Sequence, residues 1–514
     1  MSEQSRPLPG RPNLRYLKIE AKRRLSAGEF AALHEAQLAI AREHGLSSWA
    51  ALIQAVEAAR GPENPALAQL HWVLARFADA GTPAWSAPDG EELREHFDDH
   101  FLSLVPPETL VGTITKVAPR LREELVVTRR TALRLRAQVA DLQIEAAAEP
   151  DPPHRLTGLR MYPLGQAVAD PRVAMPPSRS FGQVPDLAEE VGRESFAQLG
   201  LVGLVLAGAA DSSVWTVARG WADVDRDEAL RTDHQFPAYA ITKLITSTAV
   251  LRLVAEGRIG LDDPANSHLR TIRLADDAVT VRELLTHTGG VNSPDTMFAD
   301  SVPDVLSLLG PVVGCDGPRG TFAYSNGGYA ALGQLIADVA GAVYADVVTR
   351  MVLEPLSMSS SWFPTRWPDT DTPASMASDT SAAAAPGTIT GYRLADDGMF
   401  QPVPAQVFTV LAAGGLWTTA ADLVRFGLTW STLLPAGLAR EAQRPQAERD
   451  SPGAQIGLGW MLNLPKGLCG HPGGGPGVAS SLIIRLSTGQ PTVAWTNRRV
   501  PIEPVNGRLI RPLA

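Results

Sequence analysis

Apolar positions along the chain change period several times, and each change marks an expected element. Trp49, Leu52, Ile53 and Val56 fall at i, i+3, i+4 and i+7, the apolar stripe of a helix that begins near Ser48. Before it, Ser26-Ala27-Gly28-Glu29 has the S-x-x-E form of a capping box. It predicts a helix over 26–44 with Gly45 at its C′ position. Leu67, Leu70, Leu74 and Phe77 make the next helical stripe, and Leu93, Phe97 and Phe101 another. The period then drops to two. Leu133, Leu135, Ala137 and Val139 alternate with polar or small residues, as on a half-buried strand. Residues 142–147 and 156–162 continue as strands. Helices followed by antiparallel strands predict an α+β cone over 62–165. Beyond it, a helix over 186–199 and a strand over 201–206 open the largest segment. The longest apolar run, 199–210, carries three glycines and reads as a buried strand.

Punctuation divides the chain. Gly61-Pro62-Glu63-Asn64-Pro65 and Glu149-Pro150-Asp151-Pro152-Pro153 are boundary-like, and 170–185 is loose. The expected domains are a small helical module (1–61), the α+β domain (62–165), a linker (166–185) and a large domain (186–514). Residues 364–404, rich in Ala, Pro, Thr, Ser and Asp, read as a long surface insertion. The length of 514 residues permits about three domains. At 45% hydrophobic and 20% charged, the composition is that of a globular protein. A net charge of −9 argues against a nucleic-acid partner, which needs a concentrated basic footprint. Two cysteines, Cys315 and Cys469, imply no disulfide framework. The first residues carry no apolar stretch, and no apolar run is long enough to span a bilayer. A soluble cytoplasmic protein without a membrane partner is the expectation.

Candidate chemistry lies in three patches of the large domain. They are F-P-A-Y-A-I-T-K (236–243), G-T-F-A-Y-S-N-G-G-Y (320–329) and G-H-P-G-G-G-P-G (470–477). In their order and spacing they resemble the serine β-lactamase and penicillin-binding superfamily, in its class C β-lactamase, DD-peptidase and family VIII esterase branch. Further matching stretches are L-L-T-H-T-G-G-V (284–291), G-Q-L-I-A-D-V-A-G (333–341), E-P-L-S-M (354–358) and A-A-G-G-L-W-T-T-A-A-D-L (412–423). The resemblance implies a β-lactamase-like fold, an antiparallel sheet flanked by helices beside a helical subdomain, with the site between them. Residues 62–165 resemble the N-terminal, steroid-isomerase-like domain of the serine-hydrolase-like protein of the clavulanic acid pathway, through E-L-R-E-H-F-D-D-H-F-L-S-L-V-P-P and R-L-T-G-L-R. A-Q-L-A-I-A-R-E-H-G-L-S-S-W resembles a helical segment of ankyrin-like actinobacterial proteins, which implies no function. The expected whole is a multidomain α+β protein.

The family's S-x-x-K helix puts a serine and a lysine one turn apart. The serine attacks an acyl carbon, and a nearby amine or phenolate takes its proton. By that resemblance Lys243 is the lysine, Tyr324 and Asn326 belong to the Y-x-N motif, and His471-Pro472-Gly473 is the third motif. Gly473 and Gly474 would bind the acyl group along the strand edge. The backbone N–H groups at 240 and near Gly474 would make the oxyanion hole. His287 matches a stretch read as structural. His96 and His100, spaced i, i+4 beside Asp98 and Asp99, could hold a metal but lack a third ligand. No metal and no cofactor are expected, since no nucleotide loop or complete zinc set is visible.

One position departs from the pattern. Lys243 minus three is Ala240, whose methyl group has no lone pair. Either the alanine replaces a native serine and holds an intact substrate complex, or it is native. The expected function is therefore acyl transfer on an ester, amide, peptide or lactam in a chain inactive or trapped as it stands. The partner is a small-molecule or peptide acyl substrate, by analogy in secondary metabolism. The alternatives are a ligand-binding pseudoenzyme and a non-covalent catalyst using Lys243 and Tyr324.

Overall fold

The computed structural model describes residues 14–510 apart from 27, 28, 31, 45, 47, 50, 51, 53–63, 124, 132, 141, 164–167, 211, 212, 365, 367–386, 405 and 450–452. The chain forms two compact units, Met1–Pro163 and Leu164–Ala514.

In the first unit, helices Leu14–Ser26 and Leu33–Glu43 pack through Leu17, Ala21, Ala36 and Ile40. This corrects the helix expected over 26–44: Ser26 closes the earlier helix. The later one starts at Leu33, where the Glu35 carboxylate accepts the Ala32 N–H at 3.2 Å. Gly45 and residues 53–60, within the helix expected from Ser48, lie outside the described residues. Helix Pro65–Phe77 begins under an Asn64 cap, whose Oδ1 accepts the Leu67 N–H at 3.1 Å, and it buries Leu70, Val73, Leu74 and Phe77. The stripe through Leu93, Phe97 and Phe101 is not one helix. Asp98 takes the Phe101 N–H at 2.7 Å and starts a new helix, Asp99–Leu104, after Gly90–His96. A short acidic side chain favours a cap over a helix interior, and the break follows. His96 and His100 therefore stand on different helices, and His96 stacks on Trp72 with its Nδ1 against Gln69 Oε1 at 2.7 Å. Four antiparallel strands follow, Val126–Arg130, Arg134–Val139, Leu142–Ala148 and Leu156–Pro163, in sequence order. The first of them carries no clear alternation in the sequence.

The second unit is built on a ten-stranded antiparallel sheet. Its central strands run in the order Leu468–Gly475, Val478–Arg485, Pro491–Thr496, Gly203–Ala210 and Ser213–Asp223. Within the apolar run 199–210, Leu199 ends helix Asp186–Leu199 and the strand begins only at Gly203. Helix Asp186–Leu199 and helix Glu503–Leu509 cover one face through Val191, Phe196, Ile502 and Val505. The large core covers the other face, where helix Thr242–Ala255 is buried nearly all round, as befits a helix without a polar side. The stretch 364–404 is not all surface insertion: strands Gly391–Leu394 and Phe400–Val403 form a hairpin. Its Tyr392 and Phe400 are buried, and the Tyr392 hydroxyl accepts the Val224 N–H at 2.8 Å. Among the described residues no single helix is long and apolar enough to cross a membrane.

Asn506 ties a covering helix to the sheet. Its Nδ2 donates to the carbonyls of Ser481 and Thr492 at 3.0 and 3.1 Å, on adjacent strands. Asn506→Ala leaves both contacts unmade in a buried site. It should lower stability by about 2 kcal/mol, seen by calorimetry as a thermal midpoint several degrees lower.

Candidate active site

The turn that carries Ala240 is set by its anchors. Strand Phe236–Pro237 pairs with Trp417–Thr418, and the Ala238 N–H donates to the Leu416 carbonyl at 2.8 Å. The backbone then enters the left-handed region at Tyr239, with φ 46°. A single turn of 3₁₀ helix, Tyr239–Ile241, leads into helix Thr242–Ala255. The N–H of Ala240 falls in the first turn, where helical geometry supplies no partner. Thr242 and Thr246 pin the helix to the motif at 412–423: Thr242 Oγ1 accepts the Leu416 N–H, and Thr246 Oγ1 donates to the Ala412 carbonyl.

Lys243, one turn beyond Ala240, is fully buried. Its Nζ donates to Asn326 Oδ1 at 2.7 Å and to the Ala413 carbonyl at 2.9 Å. It also lies 4.8 Å from the Tyr324 ring centroid and 5.3 Å from that of Tyr329. Burial holds the amine well below its ordinary pKa. The neutral form has two N–H donors, both used, and one lone pair left over.

The Tyr324-Ser325-Asn326 turn opens helix Asn326–Ala340. Ser325 caps it, its Oγ accepting the Gly328 N–H at 2.9 Å and donating to the Val291 carbonyl. A Cβ on Gly327 would fall 1.7 Å from the Asn292 carbonyl oxygen, so only glycine admits the loop this closely. His287 joins the same turn. Its backbone is left-handed, its Nδ1 accepts the Ser325 N–H at 3.1 Å, and its ring lies 4.5 Å from that of Tyr324. Tyr324 itself is 43% exposed, open toward the solvent side of the site.

Strand Leu468–Gly475 forms the opposite wall. Met461–Asn463 pairs with it only as far as Gly470, so residues 471–475 keep one free edge. The glycines bring the nucleophile turn onto this strand. A Cβ on Gly473 would fall 2.1 Å from the Ala238 carbonyl oxygen, and one on Gly474 about 3.0 Å from the Arg499 guanidinium. His471 is buried behind the edge, with its ring centroid 6.3 Å from that of Tyr324. Its Nδ1 donates to the Pro472 carbonyl at 2.6 Å, so Nε2 carries the lone pair. In His287 the assignment is reversed, and Nε2 carries the proton. Neither Nε2 has a hydrogen-bond partner among the described residues. Burial first, then the nearby Lys243, lowers both imidazoles, His471 to about 3.

The sequence-predicted residues Ala240, Lys243, Tyr324, Asn326, His471, Gly473 and Gly474 thus meet in one cleft. Lys243 is hydrogen-bonded to Asn326 and Ala413, with Tyr324 contributing its ring face. His287, set aside in the sequence, braces the tyrosine turn; its signal was the L-T-H-T-G-G-V stretch. His96 and His100 take no part. Among the described residues no group of three His, Cys, Asp or Glu side chains is placed to hold a metal.

The family model described as Beta-lactamase matches residues 186–513. The chain belongs to the beta-lactamase family. Protein flp of Staphylococcus aureus (strain MRSA252) is 29% identical over 155 residues, 28% of this chain and 31% of that protein. The putative penicillin-binding protein PbpX of Bacillus subtilis (strain 168) is 22% identical over 210 residues, 40% of this chain and 50% of its own. The chain thus spans 31% to 50% of the length of these curated relatives. Among solved structures, the octameric penicillin-binding protein homologue from Pyrococcus abyssi superposes with TM-score 0.52 at 21% identity, covering 62% of this chain and 75% of that one. This similarity establishes the β-lactamase-like fold: an antiparallel sheet with helices.

The two buried imidazoles make a beta-lactamase-family domain acid-sensitive. From the ordinary value near 6.5 down to about 3, the unfolded chain takes up a proton at His471 that the folded chain refuses. Stability therefore falls as pH falls through that window, by up to about 1.4 kcal/mol per pH unit for one such group. His287 acts in the same direction. His471→Asn should flatten the dependence, checked by urea midpoints between about pH 7 and about pH 4.5. Equal slopes in the two proteins would remove His471 as the source.

Proposed function

We propose that the cleft binds a small acyl compound, an ester, amide or peptide end, along the free edge of 471–475, and that with Ala240 it does so without a covalent step. The observation that carries this reading is the placement of Ala240. It sits one turn before the buried Lys243 and on a turn pressed against the glycine strand. Burial shifts the amine toward the neutral form, the one that accepts a proton, and the N–H groups that would stabilise an acyl oxyanion flank the same point. What is missing is the oxygen that would attack. In a serine-bearing form, the hydroxyl proton passes to Lys243 Nζ as the oxygen bonds to the acyl carbon. The leaving group then departs with a proton returned through the same site. Hydrolysis or transacylation follows according to whether water or another nucleophile takes the acyl group. A role in secondary metabolism rests on the resemblance of residues 62–165 alone.

The test is hydrolysis of p-nitrophenyl butyrate. The chain as it stands should remain at the buffer rate, and Ala240→Ser should exceed it by about 10³-fold or more. Adding Lys243→Ala to that variant should return it to background. Equal turnover by the Ala240 chain and its serine variant would show that catalysis bypasses position 240 and would favour the non-covalent use of Lys243 and Tyr324.

A further inference from the structure

The free strand edge ends at a pocket lined by none of Ala240, Lys243, Tyr324, Asn326, His471, Gly473 and Gly474. Pro237, Tyr239, Phe298, Trp417, Pro476 and Val478 form its apolar walls, and Gln406 adds one polar group. Its free volume is about 30 Å³, room for one or two small groups and well below a whole small-molecule site. Tyr239 stands where the pocket meets the nucleophile turn. Its φ of 46° is one that aromatic residues rarely adopt, and such strain persists only where the surroundings impose it. The ring lies over the end of the strand: a Cβ on Gly475 would fall 2.4 Å from Tyr239 Cζ. Edge-to-face contacts with Phe298 and Phe408, at 6.0 and 6.2 Å, hold it there, and its hydroxyl faces the Pro476 carbonyl at 3.5 Å.

We infer that Tyr239 sets the acyl specificity of the cleft, closing its end so that a short apolar acyl group fits and a long one does not. The inference rests on the acyl-binding reading. A group lying along 471–475 meets the Tyr239 ring and then Pro476 immediately after the last glycine. Apolar walls reward burial of a few methylenes, while the wedged ring leaves a longer chain no path except back into water.

Binding needs no covalent step, so the Ala240 chain itself serves for the test. Acetyl, butyryl and octanoyl p-nitroanilides are titrated against the full chain by ligand-detected NMR. The chain as it stands and Tyr239→Phe should bind the butyryl anilide at least about tenfold more tightly than the octanoyl one. Tyr239→Gly and Phe298→Ala should each abolish that preference. Glycine suits the positive φ, so the first variant removes the ring without opposing the backbone. Phe298→Ala widens the same pocket from another element and stands if the first variant fails to fold. A butyryl preference that survives both widening variants overturns the inference and leaves acyl binding in place. Failure of every anilide to bind every variant overturns the acyl-binding reading itself.

Discussion

The chemistry of the cleft follows from one desolvated amine. Lys243 is wholly enclosed, and an unpaired ammonium there would carry a large solvation penalty. No carboxylate answers it; its partners are an amide oxygen and a backbone carbonyl. Burial therefore shifts the group toward its neutral form. Those two hydrogen bonds also decide the architecture, because they join the lysine helix to the Tyr324–Asn326 turn and to the segment ending at Gly414. Three parts of the chain, far apart in sequence, are held in register by one nitrogen.

The second constraint is the approach of backbone to backbone. The nucleophile turn can lie on strand Leu468–Gly475 only if side chains are absent where the two meet, and the Gly473 position shows how little space remains. Backbone groups can then line the cleft from both sides. Close approach has a cost elsewhere: the chain must reverse sharply at Tyr239, in a left-handed conformation without a glycine to ease it. The aromatic contacts of its ring offset that strain. The strained residue and the glycine run are two consequences of the same short distance.

Much of this was legible in the residues. The family resemblance carried by the spacing from Ala240 to Lys243, the Y-S-N turn and the H-P-G strand implied both the fold of 186–514 and which residues to look for in the cleft. The partners of Lys243 were only half legible. Asn326 belongs to a motif, whereas the Ala413 carbonyl is backbone and carries no sequence signature. The positive φ at Tyr239 leaves no trace in a sequence read for glycine. In the first unit, apolar spacing ran straight through Phe97 into Phe101, but the Asp98 carboxylate competes for backbone N–H groups and ends the helix between them. The hairpin at 391–403 was hidden because its strands sit beside a stretch rich in Ala, Thr and Pro, and its burial comes from two aromatics, Tyr392 and Phe400, rather than from alternation.

Retention of Lys243 and its partners beside an alanine has a physical reason independent of catalysis. Removing the Lys243 amine would leave the buried Ala413 carbonyl, and the half-buried Asn326 Oδ1, without that donor, a penalty of about 1–3 kcal/mol for the buried group. Removing the hydroxyl of a serine at 240 would orphan nothing comparable, because that position borders the open cleft and is only partly buried. The two members of the motif are therefore unequal. The side chain at 240 matters less to the fold than the lysine. A single change at 240 can therefore leave the surrounding cleft, with its buried amine and strand edge, assembled.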